Sequence, residues 1–148
     1  MTDHRPRFFT FEAEIAHLGE GLLDRTLPRV EWTHEAHLAA TTYLLTRRPD
    51  IDVDQEIAGI IRRYNMSVGG VNSDSEGYHD TITRVFLHGV RLFLANANAG
   101  TPLHDLVNEL LLLPMGRRDW PLGFYSRERL FSVEARRGFV APDIAALP

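Results

Sequence analysis

From Phe11 to Tyr64, and again from Ile82 to Phe93, apolar residues return every three or four positions, while β-branched alternation over four or more residues is nowhere convincing. That periodicity limits the chain to helices, each of which must bury one stripe against another. Phe11, Ile15, Leu18, Leu22 and Leu23 mark a first helix over about residues 10–25, with Pro28 beyond its end. Thr33 can cap a second helix through about Arg47, closed by the Pro49 turn, and Asp52 a third through about Asn65. "SVGGVNSDSEG" reads as a polar loop. A long helix from about Tyr78 to Asn96 follows, with Ile82, Phe86, Val90 and Phe93 as its stripe. A shorter helix starts at Thr101 with Pro102 in its first turn, and a last one runs from Ser126 to about Arg137. The expectation is an all-α fold, a single-domain bundle of about six helices over residues 1–148.

A chain of 148 residues can bury roughly 70% of the surface its unfolded form exposes, so no disulfide or metal is needed merely to fold it. With 16 basic and 20 acidic residues the formal charge is −4, which gives no general footprint for nucleic acid or an anionic membrane. Cysteine is absent, so thiolate metal sites and cysteine nucleophiles are excluded. No window approaches the ~20 apolar residues of a membrane span, and charges run through the first sixteen residues. The chain therefore reads as cytosolic.

Two histidines, His34 and His37, sit three apart in "EWTHEAHLAA". At 100° per residue His34 falls in the middle of the face defined by Leu38, Thr41 and Leu45, and His37 lies roughly 60° round toward Leu44. The spacing of three differs from the zincin H-E-x-x-H, yet both side chains look inward and can meet on one face. In "GYHDTIT", His79 projects from the edge of the long helix one turn before Ile82, whereas His88 falls on the opposite side. His79 can serve either the same pocket or as a cap under the glycine-containing loop. His4, His17 and His104 stand alone.

In "FYSRERLFSVEARRGF", a continuous helix with Leu130 and Phe131 inward would carry Arg127 and Glu134 between them, and Arg129 and Arg136 outside. Inward charges need partners. The candidates are a histidine cluster or metal for Glu134, and a carboxylate or bound anion for Arg127. Asp50, Asp52 and Asp54 alternate as in a calcium loop but lack its glycine, so a helix N-terminus is the better use. Asn65 and Asn72 flank the polar loop, as pocket lining or as turn residues.

Four motifs, W-x-H-x-x-H-L at Trp32–Leu38, I-x-x-Y-N at Ile61–Asn65, N-S-x-x-x-G-Y-H-D-T-I-T at Asn72–Thr83 and F-Y-S-R-E at Phe124–Glu128, resemble those of a family of small uncharacterised bacterial proteins. In that family's pattern the acid after the central histidine is usually glutamate, where this chain has Asp80. The resemblance implies a shared small bacterial domain and no particular chemistry. The residues themselves point to a metal-assisted pocket. His34, His37 and His79 would hold zinc or iron, Glu134 would be a fourth ligand or general base, and Arg127 would hold an anionic small molecule. The alternatives are a metal-free acid–base or ligand-binding pocket and a non-enzymatic helical interaction module with a structural polar network.

Overall fold

The structure is a computed structural model that describes residues 7–148, all of its regular elements being helical. His4 lies outside the described residues. Seven α-helices follow in order: α1 (Glu12–Asp24), α2 (His34–Arg47), α3 (Val53–Ser67), α4 (Asp80–Ala95), α5 (Leu103–Leu112), α6 (Arg127–Leu130) and α7 (Val133–Arg137). Short 3-10 turns at Arg29–Glu31, Pro114–Gly116 and Trp120–Gly123 join them. No helix among the described residues is long and apolar enough to cross a membrane.

The ends of the helices are set by local chemistry. Glu14 reaches back to accept the N–H groups of Thr10 and Phe11, and α1 stops at Arg25, which takes a left-handed conformation (φ 60°). Thr33 accepts from the Ala36 N–H at 3.2 Å and Asp52 from the Gln55 N–H at 3.3 Å, so both expected caps are present. Asp52 is thus a helix-start residue, while Asp50 pairs with Arg48 and Asp54 with Arg91.

α1, α2 and α5 enclose the largest apolar core, built on Ile15, Leu18, Leu22, Leu38, Val107 and Leu110. α3 adds a second cluster, in which Val53, Ile57 and Ile61 meet Leu44, Tyr78 and Leu87. A third, around Val85, Tyr125 and Leu130, fastens the C-terminal segments to α4. Tyr125 is fully buried and donates its hydroxyl to the Val140 carbonyl at 2.7 Å, so its one polar atom is satisfied. The segment just before α1 is tied down differently. The Asn108 side-chain amide exchanges two hydrogen bonds with the backbone of Phe9, at 2.9 and 2.8 Å, as a neighbouring strand would.

The count exceeds the expected six because the last helix is broken. Ser126 caps α6 through the Arg129 N–H, and Ser132, in extended conformation (ψ 156°), caps α7 through the Ala135 N–H. The restart resets the helical phase. Leu130 and Ala135 become the inward residues, and Phe131 is 56% exposed.

Candidate functional site

A cavity of about 900 Å³ opens where the N-termini of α2 and α4 meet the C-terminal half of α3 under the loop of residues 68–77. His34, His37 and His79 all line it, so the three histidines singled out in the sequence do share one cavity. Their nitrogens, however, have different uses.

His79 is the N-cap of α4. Its Nδ1 accepts the Ile82 N–H at 3.2 Å, and its Nε2 lies 2.7 Å from the Leu130 carbonyl, which can only accept. The ring is therefore the neutral Nε2–H tautomer with its one lone pair committed to the helix. No lone pair is left for a metal unless the cap breaks. The expected three-histidine ligand set is corrected accordingly. Among the described residues no three His, Asp or Glu side chains stand together as a metal-holding group. The helix begins at Asp80, two residues later than the expected Tyr78, which makes His79 a cap and not a projecting helical residue.

His34 donates Nε2–H to the Gly116 carbonyl at 2.8 Å, which leaves Nδ1 with the lone pair. Its ring also meets the edge of Phe86, centroids 5.3 Å apart. His37 stacks on Trp32 at 3.8 Å with 27° between the planes. Its carbonyl takes the Thr41 hydroxyl, but neither ring nitrogen has a partner among the described residues. The ring is surrounded by protein yet keeps an exposed surface, because the space before it is the cavity.

All three imidazoles are held below the ordinary histidine range, first by desolvation. For His37 the charges of His34 and Arg118 add to it; for His34, Arg118 adds and the Gly116 bond opposes; for His79, the Leu130 bond opposes and Arg136 adds. An unfolded histidine takes its proton near pH 6.5, whereas these resist it, so the unfolded state binds more protons just below that pH. Stability from these groups is whole above pH 6.5 and falls as the pH drops through the folded-state values. Urea midpoints measured from pH 7.5 to 5 are expected to decline from about 6.5 downward. A flat profile would show that the histidines titrate normally.

Glu134 and Arg127 do not belong to this site. Both are exposed and neither lines the cavity. The restart at Ser132 changes the phase of Glu134, and Phe131, one of the two residues that set the inward face for Arg127, is itself 56% exposed. The assigned acid and anion clamp are thus corrected. Arg136, placed outside by the same projection, lines the cavity and donates to the Gly77 carbonyl at 2.9 Å. Arg29 and Arg118 stand in the lining as well, and Glu76 is the one carboxylate there. Arg47, Arg48, Arg84, Arg91, Arg117 and Arg137 are each ion-paired, whereas these three have no carboxylate partner among the described residues.

His17 pairs with Glu31 at 2.9 Å, His88 lies 2.5 Å from the Pro148 carbonyl, and His104 sits on α5; none of them lines the cavity. Asp80 accepts the Tyr78 hydroxyl at 2.7 Å and pairs with Arg84, so it braces the start of α4. Burial, then Asp80, holds the Tyr78 phenol well above its usual range. Asn65 lines the cavity and Asn72 closes the loop, accepting from Asn65 and the Tyr78 N–H and donating to the Arg62 carbonyl. Compared with known proteins, the chain matches no family profile, no curated protein and no solved structure.

Proposed function

We propose that this chain binds a small anionic molecule in the histidine–arginine cavity. The observation that carries this reading is the charge of the lining: three arginines without carboxylate partners among the described residues, against one glutamate, in a chain whose formal charge is −4. Guanidinium groups at a concave site offer forked donors that match carboxylate or phosphate oxygens. The volume falls in the range of pockets that enclose small ligands. His34, oriented by the Gly116 carbonyl and neutral, supplies a lone pair at Nδ1 for acid–base work on such a molecule.

Calorimetric titration with inorganic phosphate and succinate is the direct test. Arg118→Ala is expected to weaken binding about tenfold, the loss of one charge-assisted contact of about 1.4 kcal/mol. Arg47→Ala, whose arginine is paired with Glu12 away from the cavity, is expected to change nothing. Absence of binding by either anion to the parent chain would sink the reading.

A second reading, a divalent metal on His34 and His37, is favoured by one detail. A histidine whose remaining N–H is fixed by a carbonyl is the usual form of a metal ligand. Against it stands Arg118, whose positive charge already depresses both rings and would repel a cation. Metal analysis of untagged protein, with His37→Ala as the control, separates the two readings. For the cell, the lack of cysteine agrees with a reducing, cytosolic setting.

A further inference from the structure

The arginines account for a ligand's charge and leave most of the cavity unexplained. A space of about 900 Å³ is far larger than a bare phosphate or carboxylate needs, so the ligand has a body as well as a charge. The lining indicates what kind of body. Of its aliphatic members, Leu22, Leu38, Ile57 and Ile61 are covered by the core, which leaves Val71, at 57% exposure, as the one fully exposed aliphatic side chain, on the roofing loop. His37, unlike the covered four, is exposed within the cavity, with neither ring nitrogen hydrogen-bonded among the described residues. Trp32 lies against one face of the ring at 3.8 Å, which fixes the plane of the imidazole, and both residues line the cavity. A flat ring backed by a second flat ring is a stacking platform, and aromatic rings favour such offset-stacked partners.

Resting on the anion reading above, we propose that the ligand carries a flat aromatic ring, which stacks on the free face of His37 with Trp32 behind it, while its anionic group meets the arginines. The indole ring of Trp32 and the unpartnered imidazole of His37 then have one purpose. They select an aromatic anion over an aliphatic one of equal charge.

The test compares phenyl phosphate with propyl phosphate, which share a headgroup and differ in the ring. The full chain is used with Trp120→Phe, so that Trp32 is the one remaining of its two tryptophans. Calorimetry is expected to show phenyl phosphate binding at least tenfold more tightly, with quenching of Trp32 fluorescence by phenyl phosphate alone. His37→Ala and His37→Leu should each reduce the preference to less than threefold, and His37→Phe should restore it. Equal affinity for the two phosphates overturns the ring and leaves the anion reading standing. A preference that survives both His37→Ala and His37→Leu also overturns it, since the ring would then bind elsewhere. Failure of both phosphates, and of inorganic phosphate, removes the anion reading and the ring with it.

Discussion

Replacing Gly77 with alanine is expected to lower the unfolding free energy by about 3 kcal/mol, the largest loss from any single methyl group in the cavity wall. Two effects combine. Gly77 has φ +81°, where an L side chain is strained by about 1–2 kcal/mol. A Cβ there would also stand 2.2 Å from the Val71 carbonyl oxygen and 2.6 Å from Asn72 Oδ1, so backbone would have to move. Gly69 separates the two effects. Its φ is +85°, yet a Cβ there would meet nothing within 4 Å. Gly69→Ala should therefore cost only the dihedral strain, about 1–2 kcal/mol. Urea unfolding of both variants measures the difference, and equal losses would show that the contact with Val71 and Asn72 is soft. Because Asn72 Oδ1 also receives the Tyr78 N–H and Asn65, the clash loosens the loop that roofs the cavity.

His79→Ala is the second large effect, at about 2–4 kcal/mol. It removes the cap of α4, which is worth about 1 kcal/mol, and it strands the buried Leu130 carbonyl. His79→Asn keeps a cap acceptor for Ile82 and loses the Leu130 bond, so it should recover about 1 kcal/mol of the loss. Thermal or urea melts of the two variants decide the matter; if Asn recovers nothing, the cap contributes little and the Leu130 bond dominates. Protonation acts on the same contact. A protonated Nδ1 can no longer accept, so acid removes the cap without any mutation.

The helices were legible because their stripes and caps are local. Thr33 and Asp52 cap α2 and α3 as the sequence indicates. Of the stripe expected on α4 only Val90 is buried; Thr81, Val85 and Leu87 lie deeper than Ile82 and Phe86, which are part-exposed because they line the cavity. His34 and His37 could be brought to one cavity from their phase on α2 alone. The last helix failed for a reason that the sequence also carries. Ser126 and Ser132 are each an N-cap type with a glutamate in the turn that follows, which favours a helix start at both, and a helix wheel drawn through Ser132 cannot register the second one. That restart moves Glu134, and Arg127 follows from Phe131, which ends α6 exposed and does not mark an inward face. Arg29 and Arg118 could not be found by periodicity at all. They sit in connections outside the α-helices, where position is set by tertiary packing and side-chain spacing holds no information.

The paired bonds between Asn108 and Phe9 bear on the order in which this molecule assembles. They join positions separated by 99 residues, with four helices and their connections between them. Closing a loop of that length loses chain entropy before any contact returns it, whereas α1 and α2 are joined by a few residues and can dock at once. The amide clasp therefore belongs to the last steps of folding. It restrains the native chain against opening while adding little to the speed at which it forms.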